Sequence, residues 1–160
     1  MTRILNRVPA ILAATGLAVS AVVLTGAPAQ ATELCSGNTW VREFDTPNEN
    51  IDVEYSFCVN KIDGKYRSAG YGRVVDGGGS RKVDSFKVES RLEKNDVAVS
   101  KRTCDFTNQV NSTDTSNIDC YSPWYEPNGT YTGDGRIYID IDNDGKTGTW
   151  YDLPGSVSIS

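Results

Sequence analysis

The chain has 160 residues, a formal net charge of −5 and no histidine. Without imidazole, neither a Ser-His-Asp nor a Cys-His catalytic arrangement can be built, and the H-E-x-x-H zinc motif is excluded. The acidic balance also disfavours nucleic acid and anionic lipid as partners, because both repel a negative surface.

The N-terminus has the pattern of a secretory signal peptide. Two arginines precede an apolar run from Val8 to Leu24, and the small-residue pattern Ala29-Gln30-Ala31 follows. The run is short for a membrane span and leads into an Ala-x-Ala site, which favours cleavage after Ala31 over retention as an anchor. We therefore expect residues 1–31 to be a signal peptide and residues 32–160 to form one secreted, extracellular domain without a membrane association. That domain holds 14 basic and 21 acidic residues, a net charge of −7.

The cysteines indicate a disulfide framework. Four of them follow the signal segment: Cys35, Cys58, Cys104 and Cys120. An even number in an exported chain favours disulfides over metal or thiol chemistry, and the chain has no C-x-x-C motif. The pairing Cys35–Cys58 and Cys104–Cys120 is preferred because each bridge closes a local loop, and each would stabilise the fold by about 3 kcal/mol. Within their strands, Cys58 and Cys104 share the parity of polar residues, so we expect the bridges to lie outside the core.

Alternating apolar and polar residues predict two strands after the first cysteine. The stretch "IDVEYSF" at 51–57 places its apolar side chains on one face, and "KYRSAGYGRVV" at 65–75 forms its hairpin partner through the Asp63-Gly64 turn. Gly70 and Gly72 within the second strand predict a bulge or a close approach of another part of the chain.

A second hairpin is predicted over residues 85–104, with a turn at Asn95-Asp96. Its inward-facing residues should be Phe86, Val88, Leu92, Val97 and Val99. The polar segment 108–119 is predicted to be a loop, and no segment after the signal shows a helical pattern.

The whole pattern predicts an all-β fold. With "TWVREF", "IYIDI" and "SVSIS" as further strands, about seven or eight short strands separated by turns indicate an antiparallel β-sandwich with two disulfides. A small β-barrel is the alternative.

The segment "CYSPWYEPNGTY" is the first candidate site. It contains four aromatic residues beside two prolines and a disulfide cysteine: Tyr121, Trp124, Tyr125 and Tyr131. Rigid aromatic side chains in a tethered loop would suit an extracellular protein or a glycan as partner. The alternative is a loop whose rings fold over the open end of the sandwich and complete its core.

The segment "IYIDIDNDGKTGTW" is the second candidate site. Asp140, Asp142 and Asp144 before Gly145 match the first half of a calcium-binding loop. The second half fails, because Tyr151 stands where a bidentate glutamate is required and no helix follows. A plain hairpin turn with Gly145 in a left-handed bulge position is favoured over a weak structural Ca²⁺ site, with Asp140 and Asp142 on the solvent face. No other cofactor is expected.

The signal segment, the cysteine-bearing β domain and the C-terminal "DIDNDGKTG" hairpin together resemble small exported proteins of unknown function from high-GC Gram-positive bacteria. That resemblance implies no assigned activity. We therefore predict a secreted, disulfide-stabilised binding module without catalysis. The alternatives are a small glycan hydrolase that uses a pair of carboxylates, with Glu89, Glu93 and Glu126 among the candidates, and an inhibitor of extracellular enzymes.

Overall fold

Two antiparallel sheets dominate the computed structural model, which describes residues 31–47, 49–78, 81–142 and 144–160. The predicted signal peptide, apart from Ala31, lies outside these residues. The sheets do not close into a barrel within the described part of the chain, so the sandwich prediction is confirmed and the barrel alternative is wrong. In chain order the elements are β1 (Thr32–Cys35), β2 (Trp40–Phe44), β3 (Ile51–Ile62), β4 (Lys65–Val75), β5 (Val83–Lys94), β6 (Val97–Asp105), α1 (Thr107–Ser112), β7 (Ser116–Asn117), β8 (Cys120–Tyr121), β9 (Thr132–Ile141) and β10 (Thr149–Asp152).

The first sheet is built around the long hairpin of β3 and β4. Its turn residues Asp63 and Gly64 have φ angles of 50° and 72°, as expected for the two-residue turn that suits the twist of a hairpin. The short strands β1 and β2 both pair with β3, and the short strands β7 and β8 both pair with β4. Each side of the hairpin is therefore completed by two separate segments.

The second sheet has the strand order β10-β9-β5-β6. Its β5–β6 hairpin turns at Asn95 and Asp96, both with positive φ, as the sequence predicts. A register shift follows Leu92 in this hairpin. Val97 pairs with Lys94 next to the turn and is 64% exposed, so the prediction that it faces the core is wrong.

The core lies between the two sheets and follows the alternation of the strands. On β3, Ile51, Val53, Tyr55 and Phe57 are each at most 1% exposed. Burying each such side chain stabilises the fold by about 1.5–3 kcal/mol before entropy is counted. A second, smaller cluster fills one end of the sandwich and contains Val59, Tyr66, Leu92, Tyr131 and Ile159.

Glycines allow the chain to approach itself closely at two places. A Cβ atom at Gly72 would lie 2.0 Å from Cδ2 of Tyr55, so the close approach predicted for this strand is confirmed. A Cβ atom at Gly133 on β9 would lie 2.1 Å from the carbonyl oxygen of Cys58 on β3. The second contact joins the two sheets, backbone against backbone.

The two disulfides have the predicted pairing but not the predicted placement. Cys35–Cys58 links the paired strands β1 and β3, whereas Cys104–Cys120 links β6 of the second sheet to β8 of the first. Cys120 is fully buried and belongs to the main core cluster. The expectation that the bridges lie outside the core is therefore wrong for Cys104–Cys120. The parity of Cys104 was misleading because β6 is an edge strand, whose inward positions are polar wherever the first sheet does not cover them.

Two segments differ from the sequence prediction. The stretch 108–119, predicted to be a loop, includes most of the short helix α1, whose only buried residue is Val110; one apolar residue gives no helical periodicity to detect. The predicted strand "SVSIS" contributes only a single bridge between Ile159 and Tyr131. Within the described residues, no helix combines the length and the apolar character that crossing a bilayer requires.

Candidate functional site

The candidate site lies on the outer face of the first sheet. The alternation of β4 buries Tyr66 and Ser68 and turns Arg67 and Tyr71 outward. β8 pairs with β4 so that Tyr121 stands opposite Ala69. Tyr121 therefore shares the outer face with Arg67 and Tyr71, although about 50 residues separate them in the chain.

These three side chains form a continuous row with Trp124. The guanidinium carbon of Arg67 lies 4.6 Å from the ring centroid of Tyr121 and 4.4 Å from that of Trp124. The rings of Tyr71 and Tyr121 meet edge to face, 5.8 Å apart at an interplanar angle of 80°. We call Tyr71, Tyr121, Arg67 and Trp124 the aromatic row.

Arg67 orders the exposed end of the aromatic row. A cation over an aromatic face contributes about 0.5–1 kcal/mol at an exposed site, and tryptophan is the best acceptor. Trp124 remains 40% exposed, yet its ring packs against a guanidinium that also lies over the ring of Tyr121. A partner would thus meet a large ring that has already lost much of its side-chain freedom.

The other end of the aromatic row is polar. The Tyr71 hydroxyl donates a hydrogen bond to Oε1 of Glu33 on β1, at 2.6 Å. Burial and this bond raise the pKa of Tyr71 to about 12, against a lowering contribution from a hydrogen bond with Asn60. The hydroxyl therefore keeps its proton at neutral pH and ties β4 to β1.

The structure divides the four aromatic residues predicted as a binding loop into two pairs. Tyr121 and Trp124 belong to the aromatic row. Tyr131 is 1% exposed, and its ring centroid lies 4.6 Å from that of Tyr66. Its hydroxyl donates a hydrogen bond to the carbonyl oxygen of Pro127 at 2.7 Å. Tyr125 packs edge to face on Tyr131 and pairs with Tyr66 in an isolated bridge. The packing interpretation thus describes Tyr125 and Tyr131.

Sequence reasoning missed Arg67 and Tyr71 as site residues. Their outward parity in β4 was readable, since they alternate with residues predicted to face the core. What the sequence does not contain is the pairing of β8 with β4. That pairing, together with the bridge between Tyr66 and Tyr125, brings the aromatic loop beside these two side chains.

The candidate calcium loop is a hairpin loop between β9 and β10. Asp140 is half-buried, and Asp142 is 9% exposed and lies 3.0 Å from Nε of Arg81, so Asp142 does not have the predicted solvent exposure. The Asp144 carboxylate accepts the backbone N–H of Lys146 at 2.8 Å. Gly145 has a φ of 71°, as predicted for a bulge position.

The described residues do not gather Asp140, Asp142 and Asp144 into a cluster with ligand oxygens within 4.8 Å of one another. The Arg81 guanidinium neutralises Asp142 where a cation would be expected. Asn143 of this loop lies outside the described residues. Calcium binding by the hairpin stays a prediction.

A carboxylate network on the outer face of the second sheet bears on the hydrolase alternative. Arg91, whose side chain is 20% exposed, lies within 4.0 Å of four carboxylates, at distances from 3.0 to 3.9 Å: Glu89, Glu93, Asp134 and Asp152. Burial raises the pKa of Glu93, and the neighbouring Asp134 raises it further. The carboxylates surround a guanidinium on the face of a sheet, an arrangement that is common in structural ion-pair networks.

No protein-family model, no curated protein and no solved structure matches the chain. What the protein does must therefore be argued from its own geometry.

Proposed function

We propose that the chain is a secreted, disulfide-stabilised binding module that contacts a partner protein through the aromatic row. The observation that carries the proposal is that the guanidinium of Arg67 lies over the rings of both Tyr121 and Trp124 on an otherwise polar sheet face. The N-terminal signal pattern and the two disulfides support an extracellular location, where such bridges form and persist.

The composition and order of the aromatic row favour a protein over a glycan. Trp, Tyr and Arg are the residues that most often dominate binding energy at protein interfaces. A sugar ring would need an open aromatic face, whereas the guanidinium of Arg67 already lies over one face of both Tyr121 and Trp124. Among the described residues, the Arg67 guanidinium contacts two aromatic rings and forms no salt bridge with a carboxylate. Its charge is therefore available to an acidic group on the partner.

Affinity capture from the culture medium of the producing organism tests this proposal. The immobilised wild-type domain is compared with Arg67→Ala and Trp124→Ala. The matched control is Val97→Ala, which removes an exposed apolar side chain from the second sheet. We expect the control to retain the partner and each variant in the aromatic row to weaken binding by about tenfold or more, as for a hot-spot residue.

Equal retention by the wild type and both variants would refute the role of the aromatic row. A glycan array screened with the same set of proteins covers the other class of partner. If Trp124→Ala abolished binding to a glycan, the module would be assigned to carbohydrate and the protein partner rejected. An extracellular enzyme among the captured proteins would support the inhibitor alternative.

The hydrolase alternative rests on one observation, the raised pKa of Glu93 beside Asp134. It proposes Glu93 as the acid of a carboxylate pair. Reducing-sugar release from a panel of polysaccharides tests it, with Glu93→Gln as the inactive variant. If Glu93→Gln retained the hydrolytic activity of the wild type, this role for Glu93 would be rejected. If the wild type were active and only Glu93→Gln were inactive, the hydrolase alternative would replace the binding proposal.

A further inference from the structure

A small cavity adjoins the polar end of the aromatic row. It has a volume of about 210 Å³ and lies where β1 pairs with β3, beside the Cys35–Cys58 bridge. We call it the edge pocket, and it is lined by Ala31, Thr32, Glu33, Asn60, Ile62 and Tyr71. None of these residues is basic.

Asn60 presents an unused acceptor in the edge pocket. The Tyr71 hydroxyl has one hydrogen and donates it to Glu33, so it has none left to donate to Oδ1 of Asn60. Asn60 is only 8% exposed, and its Oδ1 is buried without a hydrogen-bond donor among the described residues. A buried acceptor of this kind is costly to leave unpaired.

The groups around this acceptor define the chemistry of a ligand. Glu33 adds a negative charge, and only its Oε1 is engaged by Tyr71. The Tyr71 ring offers an aromatic surface, which also attracts cations. A primary ammonium provides both a positive charge and N–H donors. A neutral hydroxyl would satisfy Asn60 but leave the Glu33 charge uncompensated. The volume is below that of a pocket for a drug-sized ligand, about 300 Å³ or more, and suits a single group.

We infer that the edge pocket is a binding site for a primary ammonium group. Two sources can supply it. One is the α-ammonium of Thr32, which signal cleavage after Ala31 would create within the lining of the pocket. The other is a lysine of the protein partner, because Tyr71 belongs to both the edge pocket and the aromatic row. The first source rests on the proposed cleavage and the second on the proposed function.

Nuclear magnetic resonance on the ¹⁵N-labelled domain, observing the side-chain amide of Asn60, tests the inference. The probe is propylammonium chloride, with propanol and sodium chloride as controls for its alkyl chain and its ionic strength. One form of the domain begins with acetylated Ala31 and so lacks an α-ammonium; the other begins with free Thr32. In the acetylated form we expect a saturable shift of the Asn60 resonances with propylammonium and none with propanol. No shift, or an equal shift with propanol, would overturn the inference.

The form that begins with Thr32 identifies the source. If its Asn60 resonances no longer respond to the probe, the α-ammonium of the chain already occupies the edge pocket. If they respond as in the acetylated form, the site is open and serves the partner.

A charge-deleting variant guards against an unspecific effect. Glu33→Gln keeps an acceptor for the Tyr71 hydroxyl and removes only the charge, so the dissociation constant of propylammonium should rise about fivefold at this exposed position. The matched control Glu54→Gln removes a carboxylate on β3 that pairs with Arg73 and should change nothing. Unaltered affinity in Glu33→Gln would refute the ammonium site. Trp124→Ala should leave probe binding intact, because Trp124 does not line the edge pocket, so the edge pocket and the aromatic row can fail separately.

Discussion

The contact between the two sheets at Gly133 makes a quantitative prediction about stability. In Gly133→Ala the new Cβ atom would lie 2.1 Å from the carbonyl oxygen of Cys58, 2.6 Å from its carbonyl carbon and 3.1 Å from the amide nitrogen of Val59. All three atoms belong to the backbone of β3, so no side chain can rotate away. To reach even 3.0 Å, the closest approach that real Cβ atoms show, β9 and β3 must separate locally.

The cost of that separation can be bounded. Moving packed groups apart by 0.5–1 Å forfeits about a quarter to a half of their dispersion energy, and overpacking typically costs about 1–3 kcal/mol. β3 cannot yield easily, because it is paired on both sides and bridged to β1 through Cys58. We therefore expect a destabilisation near the upper end, about 3 kcal/mol. For a domain of this size that corresponds to a melting temperature lower by about 10 °C.

Urea unfolding followed by circular dichroism measures this loss, with thermal unfolding as a second readout. The matched control is Gly37→Ala, since a Cβ atom at Gly37 would meet nothing within 4 Å. It should change the free energy of unfolding by less than about 1 kcal/mol. If Gly133→Ala unfolds within about 0.5 kcal/mol of the wild type, the two sheets separate without appreciable cost and the reasoning is refuted.

Three further perturbations test other parts of the fold. Replacing both Cys104 and Cys120 by Ala should lower the free energy of unfolding by at least about 3 kcal/mol, because the bridge restricts the unfolded chain and its removal empties part of the core; a loss below about 1 kcal/mol in urea unfolding would contradict this. Hydrogen bonds from the hydroxyl and then the backbone N–H of Thr107 lower the pKa of Asp105. The Asp105 carboxylate therefore stabilises the folded protein above its ordinary pKa, and this stabilisation is lost as the pH falls through its lowered pKa in the folded state. Asp105→Ala should therefore lower the free energy of unfolding by less than about 1 kcal/mol at pH 7, and the loss should be smaller at pH 2 than at pH 7. A loss that is the same at both pH values would contradict this prediction. Because Arg81 neutralises Asp142, the melting temperature should differ by less than about 1 °C between EDTA and about 10 mM calcium, and a rise of several degrees would show that the hairpin binds the ion.

Local patterns were sufficient to predict most of the sheet structure. Alternation identified β3, β4 and β5, because the inward residues of these strands really are covered by the opposite sheet. The turns at Asp63-Gly64 and Asn95-Asp96 were predictable because both require backbone conformations that these residue types tolerate. The disulfide pairing followed from the short separations of 23 and 16 residues.

The candidate site was only half predictable because it depends on a long-range pairing. Tyr121 and Tyr131 stand in the same aromatic segment, yet one lies on the outer face of the first sheet and the other is 1% exposed. Spacing cannot separate them, since the chain between is irregular and has no period. The edge pocket was equally hidden, because Asn60 and Glu33 become neighbours only through the pairing of β1 with β3.

The two short segments on each side of the β3–β4 hairpin have a consequence for how molecules meet one another. The longest of these four segments, β2, has five residues, so a second molecule finds no extended backbone rim on this sheet along which to add a strand. Growth of continuous intermolecular sheets is suppressed by such interrupted rims. The first sheet can therefore display an exposed tryptophan on its outer face without offering a long edge to which a second molecule could add a strand.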